Sequence, residues 1–140
     1  MSYKKGYTNV PYVLVVADNQ DDLYLIGYIL EGMNLKYYGI SDSEKVLDLA
    51  IDQTPEFIVL DIVMPKISGF DIISQLKSNI FTKDIPVIAV TGLDRFYYQS
   101  KIASAGFDDC IYKPFAFEDF EAKLKSSFVK FNFQEIFFAI

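Results

Sequence analysis

Five short apolar segments, each followed by a stretch with apolar residues at helical spacing, constrain the fold of this chain most strongly. The first is YVLVVAD, from Tyr12 to Asp18, and the others are LKYYGI, EFIVLD, IPVIAVTG and FDDCIYKPF. Short, continuous apolar runs are typical of strands that are buried on both faces of a sheet. Five strand–helix units therefore predict an α/β fold, a doubly wound five-stranded parallel sheet with helices on both faces.

The segments between the predicted strands carry helix start and stop signals. Apolar residues recur at helical spacing from Leu23 to Leu30, and Gly32 stands where that helix is expected to end. Residues 41–43, the sequence SDS, provide capping side chains for the second helix. Gly106 follows DRFYYQSKIASA and is expected to close the fourth helix.

Length and composition limit the classes of function. The 140 residues predict one domain at residues 12–130, with a leader at 1–11 and an apolar C-terminal extension at 131–140. The net charge of −6 argues against nucleic-acid binding by the whole surface. The chain has no histidine and one cysteine, Cys110, which excludes zinc sites, Ser-His-Asp triads and Cys-His dyads. No segment is apolar enough for a signal core or a membrane span, so we expect a cytoplasmic protein.

Polar side chains stand at the ends of four predicted strands. Asp18, Asp61, Thr91 and Lys113 end the first, third, fourth and fifth strands. In open parallel sheets, sites form in the crevice beyond these carboxyl ends. Two nearby carboxylates repel unless a cation lies between them, and Mg²⁺ commonly takes one or two carboxylates together with waters and phosphate oxygens. With an ammonium and a hydroxyl added, the set is suited to holding a transferring phosphoryl group, and a carboxylate can itself accept it as an acyl phosphate.

Four motifs together resemble one known family. VLVVADN, IVLDIVMPKISGFDII, IPVIAVTG and GFDDCIYKPF match, in order and spacing, the receiver domain of bacterial two-component response regulators, from about Tyr12 to Lys130. The resemblance implies a flavodoxin-like (βα)5 architecture with strand order 2-1-3-4-5. It also implies a cis peptide bond before Pro114, a residue type in which the cis form costs little.

The same resemblance assigns roles to the residues at the strand ends. Asp61 would be the phosphoacceptor, and Mg²⁺ would be bound by Asp18, Asp61 and the backbone carbonyl of Val63. Thr91 and Lys113 would contact the phosphoryl oxygens. The donor would be a phosphohistidine of a sensor histidine kinase or of a phosphotransfer protein.

A receiver of this kind is a switch and not a turnover enzyme, although it would catalyse its own phosphorylation and dephosphorylation. The acyl phosphate would shift a two-state equilibrium. The surface that changes would comprise the fourth helix, the fifth strand and the last helix. Its output would be a contact with a downstream protein, without direct binding of nucleic acid or membrane.

Two positions depart from the family pattern. The family usually has an acidic pair after the first strand, and here the first member is Ala17, which predicts weaker Mg²⁺ affinity with phosphorylation retained. Asp21 and Asp22 lie near and are interpreted as serving the dipole of the first helix. Cys110 replaces a Tyr or Phe that usually swings inward; we interpret it as a small core residue and hypothesise that Tyr112 substitutes for the switch.

Alternatives stay open at this point. The strand-end residues could be only helix caps, a strand-end hydroxyl and a surface lysine. A phosphorylation-independent, receiver-like adaptor is one rival function. Ala17 and Cys110 are compatible with it, whereas the intact set of Asp18, Asp61, Thr91 and Lys113 argues against it. A flavodoxin-like electron carrier is another, but the segment ADNQDD is acidic and would repel the phosphate of a flavin.

Three further expectations concern apolar residues. At least one of Phe96, Tyr97 and Tyr98 should be exposed, because a helix cannot bury three successive side chains on one stripe. The tail FVKFNFQEIFFAI is too apolar to stay in water and too short to span a bilayer, which predicts packing on the domain or a homodimer through the last helix and tail. Val63 and Leu93 flank the site without a group to position water, which predicts slow hydrolysis of the acyl phosphate.

Overall fold

The five predicted strands form one parallel sheet. The structure, a computed structural model, describes residues 12–131 of the 140-residue chain. The strands are β1 (Tyr12–Val16), β2 (Lys36–Ile40), β3 (Phe57–Asp61), β4 (Val87–Thr91) and β5 (Asp109–Tyr112). They pair in parallel in the order β2-β1-β3-β4-β5. The predicted fold class and strand order are thereby confirmed.

Five α-helices cover the two faces of the sheet within the described range. They are α1 (Gln20–Gly32), α2 (Val46–Gln53), α3 (Gly69–Lys77), α4 (Arg95–Ala105) and α5 (Phe117–Lys130), and a 3₁₀ turn at Ser43–Lys45 precedes α2. Helices α1 and α5 share one apolar cluster with the sheet, and α2, α3 and α4 share the other. In the part of the chain that the structure describes, no helix has the length and hydropathy that crossing a bilayer requires.

The continuous apolar pattern of β1 follows from this three-layer arrangement, in which the sheet lies between two layers of helices. Val13 and Val15 pack into the α1–α5 cluster, whereas Leu14 and Val16 pack into the α2–α4 cluster. All five residues of the strand are buried. Successive strand side chains point to opposite faces, so a strand covered on both sides needs apolar residues at every position.

The helix ends agree with the sequence expectation at both glycines. Gly106 has φ = 108° and closes α4, as predicted. Gly32 is the last residue of α1, also as predicted, and the left-handed position after that helix is taken by Asn34 at φ = 62°. Asparagine tolerates this conformation better than most residues with a Cβ atom, so glycine is not required there.

The structure tests the prediction for the aromatic residues of α4, but it does not describe the two chain ends. Phe96 is 88% exposed and Tyr97 78% exposed, which confirms that at least one of the three successive aromatic residues faces solvent. Tyr98 packs partly against the α2–α4 cluster. The predicted leader at 1–11 and residues 132–140 of the predicted apolar extension lie outside the described residues.

Helix α5 is joined to β5 by a buried polar contact. The Ser127 hydroxyl donates to Asp109 Oδ2 at 2.7 Å, and Lys123 Nζ lies 3.0 Å from Asp109 Oδ1. Burial alone would raise the pKa of Asp109, but the bonds from Ser127 and Lys123 outweigh it and lower that pKa. The charged carboxylate therefore stabilises the folded state.

We expect Ser127→Ala to lower the free energy of unfolding by about 1–3 kcal/mol at neutral pH, because it removes a hydrogen bond to a buried charge. Since the folded-state pKa of Asp109 is depressed, this contribution is present above the unfolded pKa and disappears as pH falls through the folded one. Urea denaturation between neutral pH and pH 3 measures it. The exposed neighbour Ser126, changed to alanine, corrects for helix propensity. An equal loss at both pH values would contradict the assignment.

Candidate functional site

The carboxyl ends of β1, β3 and β5 meet at one open cleft of about 390 Å³. The residues that line it are Asp18, Asn19, Asp22, Asp61, Val63, Gly92, Leu93 and Lys113. The structure thus brings Asp18, Asp61 and Lys113 together with Val63, as the positions of the strand ends had predicted. Their convergence follows from the parallel sheet, in which all strands end at the same edge.

Asp61 is the most deeply placed of the cleft carboxylates. It ends β3 and is only 6% exposed. Its Oδ1 accepts a hydrogen bond from the Val63 backbone N–H at 3.1 Å, and its Oδ2 accepts one from Lys113 Nζ at 3.0 Å. Such hydrogen bonds stabilise a buried carboxylate and fix its direction. Asp61 is therefore held in one orientation at the floor of the cleft.

Lys113 lies between two carboxylates. Its Nζ donates to Asp22 Oδ2 at 2.7 Å and to Asp61 Oδ2 at 3.0 Å. Burial acts to lower the pKa of Lys113, but the bonds to Asp22 and Asp61 prevail and raise it above its ordinary value. The ammonium is consequently charged at neutral pH. The Lys113–Pro114 peptide bond is cis, as predicted.

Thr91 ends β4 beside the cleft without lining it. Its side chain is fully buried, and its Oγ1 accepts a hydrogen bond from the Leu93 backbone N–H at 3.0 Å. That bond uses a lone pair of the hydroxyl, whose proton can still be donated. At this strand end Gly92 and Leu93 form the wall of the cleft.

The turn after Asp61 is fixed by tight backbone packing. The Gly69 N–H donates to the Ile62 carbonyl at 2.7 Å, and a Cβ atom at position 69 would lie 2.5 Å from Ile62 Cα. Farther along the same turn, the Ser43 hydroxyl donates to the Pro65 carbonyl at 3.0 Å. These contacts hold the backbone that carries Asp61 and Val63 in one position.

The oxygen ligands at the cleft fit a magnesium ion. Two carboxylates, from Asp18 and Asp61, and the backbone of Val63 lie around the same space. Among residues 12–131, no three side chains of the His, Cys, Asp and Glu types converge as a metal cage. Mg²⁺ does not require one, because it usually keeps several waters and takes one or two carboxylates plus phosphate oxygens.

Asp22 is the cleft residue whose role sequence reasoning missed. It was interpreted as serving the dipole of α1, but its carboxylate pairs with Lys113, 91 residues later in the chain. The cap of α1 is Asn19, whose Oδ1 accepts from the Asp21 N–H at 2.7 Å, so Asp18 is not the capping residue. No local signal in the sequence could have found the role of Asp22, because the contact joins the first turn of α1 to the residue that follows β5.

The two residues proposed for a rotamer switch lie on β5. Cys110 packs partly buried against the α2–α4 cluster, and burial raises the pKa of its thiol. A protonated thiol fits the interpretation of Cys110 as a packing residue. Tyr112 lies beneath the Arg95 guanidinium, whose carbon is 5.1 Å from the ring centroid. That Tyr112 substitutes for the usual aromatic switch stays a prediction.

Comparison with known proteins agrees with this geometry. Residues 13–125 match the family model of the response regulator receiver domain. The polar-differentiation response regulator DivK of Brucella anthropi is 30% identical over 114 residues, which cover 81% of this chain and 93% of DivK. The DNA-binding dual master transcriptional regulator RpaA of Synechocystis is 29% identical over 117 residues, 84% of this chain and 48% of RpaA. The chain thus spans about half the length of RpaA.

A solved structure has the same fold. It is the receiver domain of the sensor histidine kinase PA1611 from Pseudomonas aeruginosa, with a TM-score of 0.76 at 20% identity, covering 84% of this chain and 96% of that one. That crystal structure holds a magnesium ion in its active-site cleft. With the family model matching most of its length, this chain belongs to the response regulator receiver family.

Proposed function

We propose that this receiver is a phosphorylation switch in which Asp61 accepts a phosphoryl group from a phosphohistidine of a sensor histidine kinase or a phosphotransfer protein. The observation that supports this most directly is the buried Asp61 carboxylate, oriented by Val63 and Lys113 in a cleft that also contains Asp18. The second carboxylate and the ammonium are the groups that phosphoryl transfer needs for positioning and charge neutralisation.

In the proposed step, a carboxylate oxygen of Asp61 forms a bond to phosphorus as the phosphorus–nitrogen bond of the donor breaks. The electron pair of that bond returns to the imidazole nitrogen, and the product is an acyl phosphate. Lys113 is placed to contact one phosphoryl oxygen because its Nζ is 3.0 Å from Asp61. The Thr91 hydroxyl, at the end of β4, would donate a hydrogen bond to another phosphoryl oxygen. Asp18, Asp61 and the Val63 carbonyl would hold Mg²⁺, which neutralises negative charge on the transferring group.

The acyl phosphate is proposed to hydrolyse slowly. While it is present, it is proposed to change a surface that contacts a downstream protein. Val63, 60% exposed, and Leu93 present apolar side chains to the cleft, and neither can activate water. The output surface is proposed on α4, β5 and α5, where Phe96 and Tyr97 are exposed aromatic residues of the type that binds partners. A cytoplasmic location and a homodimer through α5 and the tail stay predictions of this proposal.

A second candidate is a phosphorylation-independent adaptor. Ala17 favours it, because this residue is 1% exposed and provides a methyl group where the family usually has a carboxylate. Beryllofluoride with Mg²⁺ discriminates the two functions, since a phosphorylation switch binds this phosphoryl analogue at Asp61. An adaptor would not bind beryllofluoride, so its protein spectrum would be the same in the presence and in the absence of this compound.

The test of the proposed function is mass spectrometry after treatment with acetyl phosphate and Mg²⁺. The wild-type protein is expected to gain the mass of one phosphoryl group, and Asp61→Asn to gain none, because an amide cannot form the acyl phosphate. Asp48→Asn is the matched control, since Asp48 lies exposed on α2 outside the cleft. Modification of Asp61→Asn to the wild-type extent would place the acceptor elsewhere.

A further inference from the structure

The first turn of α1 places a carboxylate in the cleft, and this carboxylate is not part of the acidic pair that the family usually has after the first strand. Asp22 lies at the third position of α1, and its Oδ2 is 2.7 Å from Lys113 Nζ, closer than Asp61 is to the same atom. The Asp22 side chain is 25% exposed and that of Lys113 28% exposed. A partly buried, charge-assisted hydrogen bond of this length is stronger than an exposed surface ion pair.

The helix dipole does not account for this arrangement. Both Asp21 and Asp22 lie in the first turn and receive the same benefit from it. Asp21, however, is exposed to solvent and does not line the cleft, whereas Asp22 does. The two neighbours therefore differ in their position relative to the cleft and in the contact that Asp22 makes with Lys113.

Asp22 also restores the charge that Ala17 removes. With Ala17 buried and uncharged, the cleft is still lined by three carboxylates, from Asp18, Asp22 and Asp61, together with the Lys113 ammonium. The formal charge of these four groups is −2, which one divalent cation balances. Without Asp22, the cleft would lose a unit of negative charge and Lys113 would keep a single carboxylate anchor.

We propose that Asp22 is a positioning residue for phosphoryl transfer, which holds Lys113 beside Asp61 and replaces the acidic residue absent at position 17. This inference rests on the proposed function. Two carboxylates on different elements, α1 and β3, fix the long lysine side chain from both sides. An ammonium group that is already fixed loses little conformational freedom when a phosphoryl oxygen binds to it. The two carboxylates therefore lower the entropic cost of positioning Lys113 for phosphoryl transfer.

The test compares Asp22→Asn with Asp21→Asn in the full chain. At saturating Mg²⁺ and acetyl phosphate, we expect Asp22→Asn to be phosphorylated about 10-fold more slowly, the size of loss typical for residues that support a metal or catalytic site. Asp21→Asn is expected to stay within about twofold of wild type, because the two variants lose the same dipole interaction. Asp22→Glu restores the carboxylate and is expected to recover most of the rate, which a purely structural defect would not allow.

A second readout separates this inference from the proposed function. Magnesium affinity, measured by calorimetric titration of the unphosphorylated proteins, is expected to fall several-fold in Asp22→Asn and not in Asp21→Asn. If wild type binds Mg²⁺ but takes up no phosphoryl group, the proposed function fails and the affinity difference still decides the role of Asp22. Equal rates and equal affinities in the two asparagine variants would overturn the inference, as would absence of Mg²⁺ binding and phosphorylation in wild type.

Discussion

Replacing Gly69 by alanine is expected to lower the free energy of unfolding by about 2–3 kcal/mol, the cost of forcing an atom into a well-packed site. The new Cβ would lie 2.5 Å from Ile62 Cα and 2.9 Å from the Asp61 carbonyl oxygen. Both are backbone atoms, which cannot turn aside as the end of a flexible side chain could. The turn must therefore move, and Asp61 with it, so slower phosphorylation should accompany the loss of stability.

Gly32→Ala is the matched control for this change. Position 32 is also helical, but a Cβ atom there meets nothing within 4 Å. Alanine should stabilise α1 by about 0.5 kcal/mol through its better helix propensity. Urea denaturation of both variants measures the contrast. Similar urea midpoints for Gly69→Ala and Gly32→Ala would show that the backbone around Gly69 can move to accommodate a Cβ atom.

Phe120→Ala is expected to lower the free energy of unfolding by about 3–5 kcal/mol, since truncating a buried aromatic side chain leaves a cavity. Phe120 is fully buried on α5, and its ring centroid lies 4.9 Å from that of Phe115. It belongs to the cluster that attaches α1 and α5 to the sheet. A loss of this size is a large share of the roughly 5–15 kcal/mol by which domains are stable.

The control for this variant is Phe96→Ala on α4. Phe96 is 88% exposed, so its truncation should change stability by no more than about 0.5 kcal/mol. Chemical denaturation of the two proteins under the same conditions provides the comparison. A comparable destabilisation by both would mean that the Phe96 ring is covered in solution, for example by a second copy of the chain.

The fold and most of the site were predictable for one physical reason. A strand buried on both faces must be apolar throughout, and the residue that ends it is the first that can be polar. In a parallel sheet these end residues share one edge, which is why Asp18, Asp61 and Lys113 could be placed together from their positions in the sequence alone. Because all five strands pair in one continuous parallel sheet, from β2 to β5, their carboxyl ends lie along the same edge.

Side-chain partners were not predictable in the same way. The contact between Asp22 and Lys113 depends on how the first turn of α1 is oriented over the sheet, and an acidic pair in a first turn has a sufficient local explanation in the helix dipole. The hydroxyl of Thr91 was placed correctly at a strand end, but its bond to the Leu93 N–H depends on the path of the following loop. The left-handed position after α1 is taken by Asn34, which sequence reasoning did not single out, because a short polar side chain tolerates this conformation.

The ion pair between Lys113 and Asp22 joins segments that are synthesised far apart in time. Asp22 and Asp61 are both translated before Lys113, so a nascent chain carries these two carboxylates before it carries the ammonium that they share in the folded protein. Asp61 gains its contact with Lys113 only when β5 has paired with β4 and completed the edge of the sheet. A chain in which β5 is not yet paired therefore leaves Asp22 and Asp61 without this ammonium.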